Sequence, residues 1–282
     1  MPLALITGAS TGIGRASALR LAGNGWTVLA GVRKLADGEA LAADAPAGRI
    51  VALVLDVTDA AHVAQAAQRV AEQPGASVPR GLDALVNNAG IGIGGPLEVV
   101  SEEDLRMQFD VNVFGQVAMT RALLPALRAA RGRIVFTSSI GGKVAMPFTA
   151  PYGASKHAIE ALADALRVEL RSSNVQVSLI EPGSVATPIW EKGQAQADEL
   201  SIPPELQAVY GGTVPVLEKV LRDTGRRGVP PDRVAAAIEA ALTSKRPRAR
   251  YLVGVDARAM LLAKRLLPDR VFDRVAKRAL GV

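Results

Sequence analysis

The sequence predicts an α/β protein built on a doubly wound parallel sheet with helices on both faces. Short apolar runs alternate with amphipathic helical patterns along most of the chain, which is the order that produces parallel sheets. A glycine-rich turn lies between the first apolar run and the first helical pattern. Successive apolar runs also end in small or polar residues, which a parallel sheet brings to one edge.

Size and composition limit the classes of protein and of site. The chain has 282 residues and is 49% hydrophobic, enough for one large domain with a substantial core. It has no cysteine, which excludes disulfides, thiolate metal sites and cysteine nucleophiles and is compatible with the cytoplasm. We expect no leader segment, because the first strand begins at once, and no apolar run reaches the roughly 20 residues of a membrane span. We expect no metal, because histidines and carboxylates show no ligand spacing.

The first 32 residues have the form of a dinucleotide-binding βαβ unit. An apolar run over residues 3–7 ends in a turn with Gly8, Gly12 and Gly14, a helical pattern follows, and a second run covers 26–32. Glycines let the backbone approach a pyrophosphate, which sits at the positive end of a helix. A tight turn without ligand is the alternative interpretation. The predicted domain is therefore of the Rossmann type.

The rest of the chain continues the alternation as one domain. Further strands are predicted at 50–55, 82–86, 132–137, 175–180 and 250–253, and helices at 60–71, 101–130 (with an irregular turn near Gly115), 152–171 and 233–242. The strand ends carry Asp56, Asn87 to Gly90, Ser138 with Ser139, and Pro182 with Gly183. We expect these residues to share one edge of the sheet with the glycine turn.

Tyr152 and Lys156 lie four residues apart at the start of a predicted helix and therefore share a face. A free tyrosine is a poor acid or base near neutrality, and a neighbouring ammonium lowers the pKa of a phenol. The pair is a plausible proton-transfer device. The motif alone is weak, because the same spacing occurs by chance in many helices.

Taken together and in order, the motifs resemble the classical short-chain dehydrogenase/reductases over about residues 1–255. They are T-G-x-x-x-G-x-G from Thr7, N-N-A-G from Asn87, Asn112, Ser139 thirteen residues before Tyr152, Y-x-x-x-K, and P-G-x-x-x-T from Pro182. The resemblance implies that Tyr152 exchanges a proton with a carbonyl/alcohol pair and that Ser139 binds the substrate oxygen. It further implies that Lys156 holds the nicotinamide ribose and that Asn112 holds a relay water. Ser138 is the alternative serine, and Asn112 is alternatively a helix hydrogen-bonder.

The resemblance also implies a cofactor site, with Asp56 expected at the adenine amino group or, alternatively, as a turn carboxylate. The residues expected there are Gly8, Ser10, Thr11, Gly12, Ile13, Gly14, Arg33, Asp56, Val57, Asn88, Ala89, Gly90, Tyr152, Lys156, Pro182, Gly183, Val185 and Thr187. The second strand ends in Arg33 rather than in the carboxylate typical of NAD-selective members. We therefore favour NADP(H) over NAD(H), with Arg33 facing a 2′-phosphate and Arg15, just after the glycine turn, on the same side. Arg33 as a solvated loop residue is the alternative.

Three stretches are expected at the substrate side: residues 92–97, 143–148 and a lid insertion over 188–228. Val144, Met146, Phe148 and Trp190 predict an apolar pocket beside Ser139 and Tyr152 for a steroid-, retinoid-, fatty- or aromatic-like substrate. Packing of the lid against the body is the alternative role of these side chains. His62 and His157 are expected to be non-catalytic, because neither has catalytic partners.

Residues 256–282 predict a basic amphipathic helical extension. The chain from residue 222 onward carries 15 Lys and Arg against 6 Asp and Glu, within a net charge of +6. We favour packing of this helix on the body or a neighbouring subunit over contact with an anionic membrane surface. We expect a homodimer or homotetramer and no nucleic-acid partner. The alternative to an NADP(H)-dependent oxidoreductase is a catalytically silent dinucleotide-sensing or scaffold protein on the same fold.

Overall fold

The computed structural model describes residues 1–73, 78–79, 81–189, 202–212, 215–216, 225 and 228–280. The strands are β1 (Leu3–Ile6), β2 (Thr27–Val32), β3 (Ile50–Val54), β4 (Ala84–Asn87), β5 (Arg133–Thr137), β6 (Gln176–Pro182) and β7 (Arg250–Val253). The α-helices are α1 (Gly12–Gly23), α2 (Leu35–Ala43), α3 (Ala60–Glu72), α4 (Glu102–Phe109), α5 (Gly115–Ala130), α6 (Ala150–Glu169), α7 (Gln207–Tyr210), α8 (Pro231–Thr243), α9 (Val255–Leu266) and α10 (Asp269–Leu280).

Within the described residues, seven parallel strands form one sheet in the order β3-β2-β1-β4-β5-β6-β7. Chain order reverses between β1 and β4, so a crevice opens beyond the carboxyl ends of these two strands. The fold is a single Rossmann-like domain, and the predicted fold class is confirmed.

The core has two layers because neighbouring side chains on a strand point to opposite faces. Leu3 and Leu5 of β1 pack with residues of α3, α5 and α6 on one face. Ala4 and Ile6 pack with α1, α2 and α8 on the other. Arg20 of α1 pairs with Glu239 of α8 at 2.6 Å, which joins two helices of the second layer. The helices thereby hold the carboxyl ends of the strands at a fixed edge.

Three elements differ from the sequence prediction. Helix α2 was not expected, and the long helix predicted over 101–130 is divided by a π-helical turn, Asp110–Phe114, close to the irregularity expected near Gly115. The single helix expected at 256–282 is two, α9 and α10, because Pro268 at the junction cannot donate a helical backbone hydrogen bond. Their inward face does pack on the body: Phe272 and Ala276 lie buried against Val144.

No helix in the described part of the chain is long and apolar enough to cross a membrane. The predicted lid over 188–228 falls mostly outside the described residues, which include α7 and the 3₁₀ turn Pro204–Leu206 from that stretch. Its role as a lid stays a prediction.

Candidate active site

The glycine turn after β1 leads directly into the amino end of α1. Gly12 has φ +55°, and a side chain there would lie 3.0 Å from Thr187 Cγ2. A Cβ on Gly14 would lie 2.1 Å from the Gly8 carbonyl oxygen, so the turn closes only with glycine at this position. The first turn of α1 carries no acidic residue, and the Thr11 side chain does not cap it. Its backbone N–H groups are therefore suited to a phosphate, and the cradle fits a dinucleotide.

The segment after β4 supports this turn. Thr7 Oγ1 accepts hydrogen bonds from the backbone N–H groups of Asn88 and Ala89, both at 2.9 Å. The Asn88 amide donates to the carbonyl oxygens of Thr7 and Gly8 at 3.1 Å. Asn87 donates to Thr120 on α5 at 2.9 Å. The N-N-A-G motif thus fixes the loops on the two sides of the crevice against each other.

A cavity of about 1180 Å³ occupies the crevice and extends from Arg33 to Tyr152. Most residues predicted for the cofactor line it. They are Gly8, Ser10, Thr11, Gly12, Ile13, Arg33, Asp56, Val57, Asn88, Ala89, Gly90, Tyr152, Lys156, Pro182, Gly183, Val185 and Thr187. Gly14 lies behind the turn, where it shapes the cradle.

At one end of the cavity, Arg33 is exposed and lies near Asp56. Asp56 Oδ1 accepts from the Thr58 backbone at 2.9 Å and from the Thr58 hydroxyl at 2.7 Å. Burial raises the pKa of Asp56, but the Thr58 hydrogen bonds and the Arg33 charge outweigh it, so the net shift is downward. The carboxylate is therefore charged at neutral pH. Asp59 rather than Asp56 caps α3, through the N–H groups of Ala61 and His62.

Arg15 does not join Arg33, contrary to the sequence interpretation. Its guanidinium is paired with Asp44, just beyond the end of α2. The unpredicted helix α2 explains the difference, because it brings an acid to the side of α1 where Arg15 projects. Arg33 thus faces the cavity without this second arginine.

At the other end of the cavity, Ser139, Tyr152 and Lys156 come together. Ser139 follows β5, and its Oγ accepts from the Gly141 N–H at 3.0 Å. A Cβ on Gly141 would lie 3.4 Å from Ser139 Oγ and 3.1 Å from Tyr152 Cε1, so the serine hydroxyl and the phenol ring are neighbours. Lys156 Nζ donates to the Thr137 carbonyl at 2.8 Å and lies 5.7 Å from the centre of the Tyr152 ring. A hydroxyl, a phenol and an ammonium therefore meet at one point.

Burial has the largest effect on the pKa values of Tyr152 and Lys156. It raises the pKa of Tyr152, and the Ser139 hydrogen bond only partly offsets that rise. It lowers the pKa of Lys156 to about 8, against an opposing effect of Glu160. That Lys156 lowers the pKa of Tyr152 stays a prediction. The phenol is held protonated at neutral pH, the form that can donate to a carbonyl oxygen.

Asn112 lies in the π-helical turn and is fully buried. Its Oδ1 accepts from the Ile91 N–H at 2.8 Å, and its Nδ2 donates to the Ile91 carbonyl at 3.0 Å and to Ser155 Oγ at 3.1 Å. Gln108, one turn earlier, binds the backbone of Ile93 and Ile91 in the same way. Both side chains fasten the loop after β4, which is the hydrogen-bonding alternative considered for Asn112.

Three of the apolar side chains expected to contact the substrate do not line the cavity. Val144 is buried against Phe272 and Ala276, and Met146 packs on the same cluster. Phe148 has φ +62°, and its carbonyl accepts from the Gly95 N–H at 2.7 Å. These three do not appear among the described residues that line the cavity. This packing argues against substrate contact by Val144 and Met146. Trp190 lies outside the described residues.

Other apolar groups lie beside Tyr152 instead. A Cβ on Gly92 would lie 3.7 Å from the Tyr152 ring and 3.9 Å from Ile189 Cδ1. Ile93 and Met107 line the same cavity. Gly92 and Ile189 belong to stretches predicted at the substrate side, but the sequence alone did not rank them above Val144.

Asp256 is a site residue that sequence reasoning missed. It lies in the first turn of α9, and its Oδ2 accepts from the Ser184 N–H at 2.7 Å. A Cβ on Gly183 would lie 2.4 Å from its carboxylate oxygens. Asp256 therefore fastens the loop of Pro182 and Gly183. No local motif signals this contact, which joins positions 72 residues apart.

The two histidines lie away from this chemistry. His62 Nδ1 lies 3.3 Å from the Asp56 backbone nitrogen, and His157 Nδ1 lies 2.8 Å from the Gly153 carbonyl. Neither is among the described residues that line the cavity. Among the described residues, no group of three His, Cys, Asp or Glu side chains could hold a metal ion.

Sequence comparison finds relatives of this chain among known proteins. The family model for short chain dehydrogenase matches residues 2–198. An NADPH-dependent 3-dehydrocapnine reductase of Ornithobacterium rhinotracheale is 36% identical over 280 residues, covering 98% of this chain and 96% of the reductase. Retinol dehydrogenase 5 of Mus musculus is 37% identical, covering 96% and 86%. A 3-ketodihydrosphingosine reductase of Bacteroides thetaiotaomicron is 34% identical, covering 95% and 94%.

Solved structures agree with these relatives. A short-chain dehydrogenase from Streptomyces avermitilis superposes with a TM-score of 0.78 at 30% identity, covering 98% of this chain and 95% of its own. One from Burkholderia phymatum, in complex with NAD, gives 0.77 at 28% identity with coverage of 94% and 92%. One from Burkholderia cenocepacia, in complex with NADP, gives 0.72 at 27% with coverage of 100% and 98%.

Proposed function

The chain belongs to the short chain dehydrogenase family and is an NAD(P)-dependent oxidoreductase of carbonyl/alcohol pairs, and we propose that it reduces an apolar ketone or aldehyde with NADPH. The observation that carries the proposal is the meeting of Ser139, Tyr152 and Lys156 at one end of the cavity. An enzyme of this chemistry needs a proton donor at the reacting oxygen and a cradle for the nucleotide, and both lie in the same crevice.

Each residue of the crevice has its own role in the proposed reaction. When bound, the nicotinamide supplies or accepts the hydride. The Tyr152 phenol gives its proton to the carbonyl oxygen, and the Ser139 hydroxyl donates a hydrogen bond to the same oxygen as negative charge develops there. Lys156 would hold the ribose hydroxyls of the cofactor, and its ammonium would stabilise the phenolate that Tyr152 leaves behind. Gly12 and Ile13, at the amino end of α1, would hold the pyrophosphate through their backbone N–H groups.

The preference for NADPH rests on Arg33. Its guanidinium is exposed at the end of β2 and faces the cavity beside Asp56. A planar guanidinium suits a 2′-phosphate, and a carboxylate is absent from the position where it would favour the 2′-hydroxyl. The similar reductase from Ornithobacterium is named as NADPH-dependent. A lower KM for NADH than for NADPH would contradict this assignment.

An apolar substrate is supported by the wall beside Tyr152. Gly92 and Ile189 lie beside the phenol, and Ile93 and Met107 line the same cavity. Apolar walls select substrates by shape and hydrophobic burial. The relatives named for retinol and 3-ketodihydrosphingosine act on hydrocarbon-rich molecules, in agreement with such a pocket.

Replacement of Tyr152 by Phe tests the proposed reaction. The aromatic ring stays but the proton donor is lost, so we expect kcat/KM to fall by at least about a hundredfold. The measurement is NADPH oxidation over a panel of long-chain, retinoid, steroid and aromatic ketones and aldehydes. Cofactor binding, followed by fluorescence, serves as the control and should be retained. Turnover by the variant at the wild-type rate would overturn the assigned mechanism.

We also propose that the protein forms a homodimer or homotetramer in the cytoplasm. Phe114 is 63% exposed beside α5 and Val168 is 70% exposed on α6, the two long helices expected to carry an interface. Exposed apolar side chains on neighbouring helices are typical of association surfaces. A monomeric mass by light scattering would contradict the proposal.

A further inference from the structure

A row of polar side chains runs along one face of α6. Tyr152, Lys156, Glu160 and Asp164 recur at every fourth position and therefore lie one above the other. The first two belong to the proposed reaction. Glu160 lies one turn beyond Lys156, and its side chain is only 5% exposed. The proposed chemistry gives this buried carboxylate no direct part.

Glu160 belongs to a charged cluster assembled from four parts of the chain. Its Oε2 lies 2.5 Å from Lys143 Nζ and 3.0 Å from Arg250 Nη2. Glu181, 3% exposed near the end of β6, lies 3.0 Å from Arg250 Nε and 3.8 Å from Lys143 Nζ. Arg250 also reaches Asp164 at 2.6 Å. Two cations thus bridge two buried carboxylates.

The cluster lies directly behind the reactive groups. Lys143 follows the 3₁₀ turn that begins after Ser139, and Glu181 precedes Pro182 and Gly183 on the cofactor loop. A Cβ on Gly142 would lie 3.0 Å from Glu160 Cγ and 3.1 Å from the Lys156 carbonyl oxygen. The cluster therefore joins the segments that carry the serine, the lysine and the cofactor loop.

The position of Glu160 matters because Lys156 is buried. Burial favours the neutral amine and lowers the pKa of Lys156 to about 8, and Glu160 acts in the opposite direction. Tyr152 is the other titratable group beside Lys156 on α6, and Gly90 and Asn112 on the β4 side are neutral. Among the described residues, Glu160 pairs with Lys143 and Arg250, and Asp164 pairs with Arg250 and Arg167. Glu181 pairs with the same Lys143 and Arg250.

The surroundings of Glu181 shift its pKa. Burial and the Glu160 charge raise the pKa of Glu181 to about 7, against the opposing charges of Lys143 and Arg250. A hydrogen bond between the two carboxyl groups also favours the protonated form of Glu181. Glu181 is therefore partly protonated near neutrality, which reduces the charge repulsion between the two buried carboxyl groups.

We propose that Glu160, held by Lys143 and Arg250 against Glu181, is a positioning residue that keeps Lys156 protonated at the pH where the enzyme works. The inference rests on the proposed function, in which a charged Lys156 binds the ribose and stabilises the Tyr152 phenolate. Glu160 acts through Lys156 and touches neither substrate nor cofactor. Without it, the ammonium loses the negative charge that offsets its burial.

The test is the titration of Lys156 in Glu160→Gln, followed by carbon NMR of labelled lysine side chains in the protein without cofactor. The Lys156 signal is assigned by its loss in Lys156→Arg. We expect the midpoint of the Lys156 titration to fall by about one pH unit. The variant removes a negative charge near an ammonium that is buried and poorly solvated. The alkaline limb of the kcat/KM profile should move to lower pH by the same amount. An unchanged midpoint would overturn the proposal.

Two further variants separate charge from packing. Glu169→Gln makes the same change at an exposed position on α6, and we expect it to leave the midpoint unchanged. Glu181→Gln disturbs the cluster but leaves Glu160 in place, so the midpoint should move by no more than a few tenths of a unit. An equal shift in E181Q and E160Q would contradict the specific role of Glu160.

If E160Q does not fold, Glu160→Asp is the second variant. Its side chain is one methylene shorter and keeps the charge, so we expect a smaller lowering of the Lys156 midpoint. No lowering in that variant would also contradict the proposal. The NMR titration needs no turnover, so its result is independent of the proposed reaction. Failure of that reaction would show as full activity in Tyr152→Phe, whatever the Lys156 midpoint.

Discussion

At the scale of single residues, the sequence was most informative where partners lie close together in the chain or at adjacent strand ends. Tyr152 and Lys156 share a helix face, and Ser139 leaves the neighbouring strand end, so their meeting follows from periodicity and topology. Arg15 and Val144 were misplaced because their partners are distant. Asp44 lies beyond an unpredicted helix, and Phe272 belongs to the last helix. Long-range packing of this kind leaves no local pattern.

Gly14→Ala tests the cradle at the same scale. The new Cβ would lie 2.1 Å from the Gly8 carbonyl oxygen, so the turn must open. We expect the free energy of unfolding to fall by about 1–3 kcal/mol and cofactor affinity to drop by at least tenfold. Chemical denaturation and a cofactor titration measure the two effects.

Gly23→Ala is the matched control on the same helix, because an added Cβ there meets nothing within 4 Å. It should leave cofactor affinity unchanged and stabilise the protein slightly. Equal cofactor affinity in the two variants would show that the cradle geometry does not depend on Gly14.

At the scale of elements, local sequence predicted the strands well and the helices less evenly. Helix α2 was missed because Gly38 interrupts its pattern and lowers helix propensity. The structure explains this glycine: a Cβ there would lie 2.6 Å from the Ala52 side chain of β3. The division of the long helix was expected near Gly115, but a π-helical turn depends on the buried anchoring of Asn112, which local sequence does not reveal.

Asp256→Ala tests how one element supports another. The carboxylate holds the Ser184 N–H, so its loss should loosen the cofactor loop of Pro182 and Gly183. We expect the KM for the cofactor to rise by about three- to tenfold, with a small change in kcat, because the loss of one exposed hydrogen bond costs about 1 kcal/mol. Steady-state kinetics with varied cofactor measures both.

Asp269→Ala makes the same change in the first turn of α10, where the carboxylate pairs with Lys264 on the surface. The KM for the cofactor should be unchanged in this control variant. If the two variants behave alike, the loop does not depend on Asp256.

At the scale of the whole molecule, the buried carboxyl pair makes stability depend on pH. Glu181 has a pKa raised from 4.5 to about 7 in the folded protein. Between these values the folded state binds more protons than the unfolded state, so stability falls as pH rises and levels off above pH 7. We expect the titration of Glu181 to lower the free energy of unfolding by on the order of 2 kcal/mol between pH 5 and pH 8.

Glu181→Gln should abolish that contribution. Free energies of unfolding from urea denaturation at pH 5 and pH 8 give the comparison, with wild type losing more stability than the variant over the interval. A parallel loss in both proteins would show that Glu181 titrates normally. The sequence could not predict this property, because the pair forms only when α6, β6 and β7 pack together.

The burial of Phe272 and Ala276 against Val144 has a consequence for how the protein is made. Val144 lies between Ser139 and Tyr152, whereas its apolar partners are on α10, which leaves the ribosome much later. A nascent chain that already carries every reactive side chain still lacks the helix that packs behind them. We therefore expect the segment between Ser139 and Tyr152 to reach its final packing only after α10 has been synthesised.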